Sequence, residues 1–261
     1  MKIKFLGAAG TVTGSSYVLT SGSGQSIIID LGMFQGTEDI EKLNYEPFDY
    51  DCSQLSAAIL THAHLDHCGR IPILSRKGFT GPIWMTSATA DLTELSLLDT
   101  AKIAKEDRKP ILFNQEQALV TMKQFKRMHY RAPNTIGDFI VTMRDAGHIL
   151  GSAILEIEDT KPDSPIRKIV FSGDLGNSPD DLLPDIENVE AADAVVMEST
   201  YGDRLHPTTD PMDVLASEIN AVESTGGTLL IPAFSLQRTQ ELMHMIMHLK
   251  QKGKVRQATP V

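Results

Sequence analysis

The sequence predicts an α/β fold whose short strands carry ionisable residues at their ends. Two observations support this class. Brief runs of Ile, Val and Leu alternate with Gly-rich or Ser-rich turns in the first half of the chain. Longer stretches with helical spacing then separate these early strands from a later group. The length of 261 residues suits one large domain, or one domain and part of another, and the hydrophobic fraction of 41% is that of an ordinary globular protein.

The early strands are recognised by their apolar runs and by the turns that bound them. Gly-rich or Ser-rich segments follow the first two runs, and a Gly-Pro pair precedes the last. The predicted strands of this group are Ile3–Leu6, Ser16–Leu19, Ile27–Ile29, Leu55–Leu60 and Ile83–Met85.

Two helices and a second group of strands follow. Residues 88–107 and 115–128 have the mixed polar and apolar spacing of surface helices. Apolar runs then return at intervals typical of strands. The predicted strands of this second group are Ile140–Met143, Ile154–Ile157, Ile169–Phe171 and Ala194–Met197.

The pattern changes near residues 206–210, which we interpret as a domain boundary between residues 1–206 and 207–261. Beyond it, helices at Asp213–Val222 and Arg238–Lys250 flank a predicted buried strand, Thr228–Ile231.

Ionisable residues recur at or just beyond the carboxyl ends of predicted strands. Rigid strands aim such side chains, and the short loops that follow allow them to converge. We therefore expect a functional site built from Asp30, His62, His148, Asp174 and Glu198.

The segment His62-Ala63-His64-Leu65-Asp66-His67 has the composition of a metal site. Histidines at alternate positions of an extended segment face the same side, and Asp66 and His67 follow in a turn. Imidazoles and carboxylates are the ligands that Zn²⁺ prefers when a position must stay open for water. The alternative is a surface loop that is rich in histidine.

Charge and cysteine content limit the class of protein. The formal net charge of −10 opposes non-specific nucleic-acid binding, although bound divalent ions would neutralise several carboxylates and Lys250–Arg256 is locally basic. Cys52 and Cys68 provide no disulfide framework, and no apolar run approaches the roughly 20 residues of a membrane span. We expect a cytoplasmic protein with no membrane partner.

Four motifs together resemble the metallo-β-lactamase fold superfamily. They are the His62–His67 segment, Asp30, His148 in Ala146–Ser152, and Asp174 in Phe171–Asp174, and their order and spacing also agree. The resemblance implies an αββα sandwich with two Zn²⁺ ions. His62, His64 and His148 would hold the first ion, Asp66 and His67 the second, and Asp174 both. Asp30 would accept hydrogen bonds that orient the histidine loop.

A further motif, Glu198-Ser199-Thr200-Tyr201-Gly202, resembles the β-CASP branch of that superfamily, which contains RNA- and DNA-processing nucleases. The segments Gly7–Ser15 and Asp30–Gly36 are similar to its bacterial and archaeal members. Thr228–Glu241 is similar to the beginning of the inserted β-CASP domain. The resemblance implies catalytic roles for Glu198 and Asp66.

The expected function is therefore zinc-dependent hydrolysis of RNA, with Arg204 and His206 as substrate-binding residues near a cleft between two domains; the alternative for His206 is an ordinary loop residue. A dizinc hydrolase of a small ester, thioester or lactone is one alternative, and a non-catalytic scaffold of an RNA-processing complex is another. The β-CASP pattern requires two further histidines that His244 and His248 do not match. We accordingly expect a truncated chain that is weakly active and prone to association, with a homodimer as a candidate assembly.

Overall fold

The computed structural model describes residues 1–106, 110–161, 164–177 and 182–259. The contacts within the chain divide it into two units, Met1–Glu198 and Ser199–Val261. The predicted division into domains at residues 206 and 207 stays a prediction.

The first unit contains two sheets. The first sheet has the spatial order β1-β2-β3-β4-β5-β6, in which β1, β2 and β3 are antiparallel and β3 to β6 are parallel. Its strands are β1 (Lys2–Gly7), β2 (Ser16–Thr20), β3 (Ser26–Leu31), β4 (Leu55–Ile59), β5 (Ile83–Thr86) and β6 (Phe125–Met128).

The second sheet has the spatial order β11-β10-β9-β8-β7. Its pairs are antiparallel except for β10 and β11, which are parallel. Its strands are β7 (Asn134–Ile136), β8 (Phe139–Asp145), β9 (Ala153–Asp159), β10 (Lys168–Phe171) and β11 (Ala194–Val196).

Seven α-helices are described. Among the described residues, none of these helices is long and apolar enough to cross a membrane. The helices are α1 (Glu38–Lys42), α2 (Leu65–Cys68), α3 (Ile71–Arg76), α4 (Ser87–Glu106), α5 (Gln115–Met122), α6 (Pro211–Thr225) and α7 (Arg238–Gln251).

Strand β3 shows why the first sheet lies in the middle of its unit. Ile27 and Ile29 point into the core between the two sheets, where they join Phe139 and Leu155 of the second sheet. Ile28 points the other way, into the core beneath helices α2 and α3. These three isoleucines are completely buried, and each contributes about 1.5–3 kcal/mol through burial. A run of three apolar residues is therefore required by a strand that is covered on both faces.

The expected α/β sandwich is confirmed. Helices α2 to α5 cover the outer face of the first sheet. On the outer face of the second sheet, Ile154 and Val170 pack against Leu175, Ile186 and Val189, which lie in described segments outside the helices.

Two predictions about elements are wrong. The helix expected over 115–128 ends at Met122, and Phe125–Met128 instead pair with β5 as β6. The buried strand expected at Thr228–Ile231 is not assigned as a strand, and Leu230 is 84% exposed. Apolar residues form a strand only where a neighbouring strand can satisfy their backbone groups. The last residue of the helix expected over 88–107 lies outside the described residues.

The second unit is a helical pair. Asp210 begins α6 by accepting a hydrogen bond from the N–H of Met212 at 2.8 Å, and Gly226 ends the helix in the left-handed conformation. The core of this unit consists of Leu215, Ala216, Ile219, Ile246, Leu249 and Val255.

Candidate metal centre

Three chain segments, which follow β4, β8 and β10, bring their ionisable residues together in two clusters. Each residue offers one ligand atom, and the atoms within each cluster lie within 4.8 Å of one another. The first cluster is His62, His64, His148 and Asp174, and the second is Asp66, His67 and Asp174.

His62 is held in one orientation by Thr61. The Thr61 hydroxyl donates to Asp30 Oδ2 at 2.7 Å, so its lone pair is available to accept from His62 Nδ1 at 3.0 Å. The other nitrogen, Nε2, is then left with its lone pair directed into the cluster. Burial, helped by the neighbouring histidines, pulls the pKa of His62 well below its ordinary value. A buried neutral imidazole is the form that binds a metal.

The histidines from the two sheets meet in the first cluster. His148 Nε2 lies 3.1 Å from His64 Nδ1, although the two residues are 84 positions apart in the sequence. The loop that carries His148 is closed by Ser152, whose hydroxyl accepts from the N–H groups of His148 at 3.0 Å and Ile149 at 3.2 Å. The loop therefore presents the imidazole from a fixed backbone.

His67 lies between two carboxylates. Its Nδ1 donates to Asp30 Oδ2 at 2.7 Å, and its Nε2 lies 3.1 Å from Asp174 Oδ1. Burial alone would lower the pKa of His67, but the charges of Asp30 and Asp174 and their hydrogen bonds more than offset it, so the pKa lies well above its ordinary value. This shift favours the protonated imidazole in the metal-free chain, and a divalent ion would bind Nε2 by replacing its proton.

Asp174 faces both clusters with different oxygens. Its Oδ2 lies 3.8 Å from Nε2 of His62 and 3.7 Å from Nε2 of His148, while Oδ1 lies against His67. Burial would raise the pKa of Asp174, but the hydrogen bond from His67 and the charges of the histidines lower it to about 2. Its carboxylate is thus charged and placed between the two clusters.

Asp66 completes the second cluster from the first turn of α2. Burial raises the pKa of its carboxyl group, and the charge of Asp174 raises it further, while His67 opposes both. Two partly buried carboxylates in one cluster favour a cation between them.

Asp30 anchors the histidine loop from β3. It is 1% exposed, and it adopts an uncommon positive φ of 52°. Its Oδ1 accepts from the Thr61 N–H at 2.8 Å, and its Oδ2 accepts from the Thr61 hydroxyl and from His67. One carboxylate therefore orients an imidazole in each cluster, through Thr61 in the first and directly in the second.

Glu198 lies at the margin of the centre. Its Oε1 accepts from the N–H of Leu175 at 2.7 Å, and its own N–H donates to the Ser172 hydroxyl at 3.1 Å. Both contacts hold the loop that carries Asp174. The catalytic role expected for Glu198 stays a prediction.

Arg204 and His206 belong to the second unit, where both are exposed. Arg204 forms an ion pair with Asp203 at 3.0 Å, and the ring of His206 packs edge-on against Tyr201 with centroids 5.2 Å apart. Their expected contact with substrate stays a prediction.

Sequence reasoning did not find Thr61, Ser152 and Ser15 as parts of this centre. All three are hydroxyl residues that touch a predicted ligand or its backbone. Thr61 stands directly before His62 at the end of a strand, and Ser15 and Ser152 end the segments Gly7–Ser15 and Ala146–Ser152, so each had a signal in the sequence but no assigned role.

The donor set fits two divalent ions. Nε2 of His62 is fully buried and has no hydrogen-bond partner among the described residues, a costly arrangement unless another group, such as a metal, occupies the space it faces. Imidazole and carboxylate donors suit Zn²⁺, and a carboxylate whose two oxygens face two clusters suits a pair of ions.

Comparison with known proteins gives related sequences and folds. The sequence profile of the "Metallo-beta-lactamase superfamily" matches residues 9–221. "Ribonuclease TTHA0252" of Thermus thermophilus is 38% identical over 247 residues, which cover 94% of this chain and 54% of that protein. "Transcription termination factor FttA" of Methanocaldococcus jannaschii is 32% identical over 248 residues, which cover 93% of this chain and 38% of that protein. The chain thus spans about half, or less, of the length of these two curated relatives.

A solved structure from Enterococcus faecalis V583, described as a protein of unknown function, has a TM-score of 0.51 to this chain. It is 15% identical and covers 85% of this chain and 57% of its own. At this identity the likeness concerns the fold alone.

Proposed function

Because this chain belongs to the metallo-β-lactamase superfamily, we propose that it takes part in the hydrolysis of RNA phosphodiester bonds with two bound zinc ions. The profile match confirms the family resemblance, and the ribonuclease and termination-factor relatives are of the kind expected for the β-CASP branch. The observation that carries the proposal is the position of Asp174, whose two oxygens face two separate ligand clusters.

The residues of the two clusters would hold the ions. His62, His64 and His148 with Asp174 form the first set, and Asp66 and His67 with Asp174 form the second. When bound, a pair of divalent ions activates water and stabilises the negative charge that develops on a phosphoryl oxygen.

The surrounding groups act by fixing these ligands. Asp30 and Thr61 determine which nitrogen of His62 and of His67 faces the clusters. Glu198 holds the backbone after Asp174 through Leu175. Ligands fixed in this way hold the ions in one geometry, which a catalytic site requires.

Zinc is the ion that we propose. Three histidines in one cluster favour Zn²⁺ over hard ions such as Mg²⁺, which prefer oxygen ligands alone. Elemental analysis of the protein purified without chelator is expected to find about two equivalents of zinc. A preparation that binds neither zinc nor another transition metal would contradict this part of the proposal.

The activity is tested with a fluorescently labelled single-stranded RNA and, in parallel, a thioester and a lactone. We expect zinc-dependent cleavage of the RNA, loss of cleavage in Asp174→Asn, and retention in Asp49→Asn. Asp49 is a matched control because its carboxylate is exposed and forms an ion pair with Lys4, outside both clusters. Zinc-loaded protein that hydrolyses the thioester or lactone and leaves RNA intact would favour the small-substrate alternative and refute the proposal.

RNA as the substrate, a cytoplasmic location and a homodimer remain predictions for this chain. The ribonuclease names of the relatives support RNA.

A further inference from the structure

Ser15 lies where the Gly-rich loop after β1 returns to the sheet, and it is 3% exposed. Its N–H donates to the carbonyl oxygen of Asp66 at 2.9 Å, and its own carbonyl oxygen accepts from the N–H of Gly32 at 2.9 Å. The backbone of Ser15 is therefore bound on one side to a residue of the second cluster and on the other to the segment that follows Asp30.

The side chain of Ser15 is directed at the same cluster. Its Oγ lies 3.3 Å from Nε2 of His67. This nitrogen also lies 3.1 Å from Asp174 Oδ1, and the opposite nitrogen of the ring is bonded to Asp30. Nε2 is therefore the ligand atom of His67, and Ser15 and Asp174 both contact it.

The separations match those between two ligands of one ion. With metal–nitrogen and metal–oxygen bonds of about 2.0–2.2 Å, neighbouring ligand atoms are roughly 3–3.5 Å apart. The distances of Ser15 Oγ and of Asp174 Oδ1 from His67 Nε2 both fall in this range.

We propose that Ser15 is a further group of the second metal position, where its hydroxyl supplies a neutral oxygen donor beside Asp66, His67 and Asp174. The proposal rests on the two-ion function proposed above. A hydroxyl oxygen is a hard donor, and it adds to two carboxylates. Ser15 therefore increases the affinity of this position for an ion such as Mn²⁺ more than its affinity for Zn²⁺.

The neighbouring serine provides a matched control. Ser16 is completely buried, and its Oγ has no hydrogen-bond partner among the described residues. Substitutions at positions 15 and 16 therefore change the same chemical group in the same stretch of chain, but only position 15 contacts a cluster residue.

The first test is a calorimetric titration of the metal-free protein with Mn²⁺ and with Zn²⁺. Ser15→Ala is expected to weaken one of two binding steps by about tenfold, with the larger loss for Mn²⁺, and to leave the other step unchanged. Ser16→Ala should leave both steps unchanged. Equal weakening of both steps, or no weakening, would overturn the proposal.

The second test reads coordination directly. Ser15→Cys places a thiolate donor at the same position, and Co²⁺ bound to a thiolate gives a ligand-to-metal charge-transfer absorption. We expect this band in Ser15→Cys and not in Ser16→Cys or in the native chain, which already contains Cys52 and Cys68. Absence of the band from Ser15→Cys that binds two Co²⁺ ions would refute the role of Ser15 but not the two-ion function. Failure of the native chain to bind any of these ions would refute both.

Discussion

Substitution of Asp30 by asparagine tests how far the centre depends on a residue behind its ligands. In the native chain, Asp30 Oδ2 accepts two hydrogen bonds, from the Thr61 hydroxyl and from Nδ1 of His67, each at 2.7 Å. The amide of asparagine has two orientations. In one, its NH₂ group takes the place of Oδ2 and cannot accept from the Thr61 hydroxyl or from His67. In the other, its NH₂ group takes the place of Oδ1 and leaves the Thr61 N–H without an acceptor. At least one buried hydrogen bond to a charged group is lost in either orientation.

The size of the effect follows from this loss. A hydrogen bond to a charged group contributes about 1.5–3 kcal/mol, and about 1.4 kcal/mol corresponds to a tenfold change in affinity. We therefore expect Asp30→Asn to weaken metal binding by about 10- to 100-fold, the range found for groups behind metal-ligating histidines. The step that involves His67 should lose more than the step that involves His62, which reaches Asp30 only through Thr61.

Competition with a coloured chelator measures both binding steps. Trp84, the single tryptophan, packs against the core between the sheets, so its fluorescence reports unfolding of the same protein. Asp49→Asn controls for the loss of one charge, since Asp49 is exposed and pairs with Lys4. Affinities within about twofold of the native chain, in folded Asp30→Asn protein, would show that Asp30 does not orient the ligands.

The remaining predictions concern pH and backbone packing. Zinc affinity should keep rising as the pH increases above the ordinary histidine pKa of about 6.5, because a proton must leave His67, whose pKa is raised. Calorimetry in buffers of different ionisation enthalpy measures the release of this proton, and an affinity independent of pH would contradict the prediction. In the metal-free chain, the charged form of Asp174 contributes stability above the ordinary aspartate pKa of about 4, and this contribution is lost as the pH falls through its folded pKa of about 2, which acid titration followed by circular dichroism would detect. Gly32→Ala would place a Cβ 1.5 Å from the carbonyl oxygen of Asp66 and should lower the melting temperature by several degrees or more. Gly24→Ala, whose Cβ meets nothing within 4 Å although its φ is +94°, should cost only about 1 kcal/mol, and equal losses in the two variants would argue against close packing at Gly32.

The positions of the candidate ligands could be predicted because they depend on short-range features. His62 and His64 are two residues apart after a buried strand, and the structure shows both in the first cluster. Asp174 could be placed because its loop also follows an apolar run that is unmistakably a strand. In each case the strand fixes the direction of the chain, and the loop is too short to move the side chain far.

The remaining features depend on partners that are distant in the sequence. Thr61 bonds to a residue 31 positions away, and Ser15 contacts one 52 positions away, so neither serine nor threonine could be selected among the many in the chain. Phe125–Met128 became a strand only because β5 offers an edge for pairing. The apolar segment Thr228–Ile231 has the composition of a strand but no assigned pairing.

The placement of the ligands on two sheets also sets an order of assembly. During synthesis, the segment that carries His62–His67 emerges long before His148 and Asp174, which follow strands of the second sheet. An ion bound early would be held by few ligands and would exchange readily. Additional ligands from the second sheet would slow its dissociation only after the chain between His64 and His148, which are 84 positions apart, has closed. If the proposed ions bind, their retention would be a late event in folding, and slow-exchanging zinc would mark molecules in which both sheets have already docked.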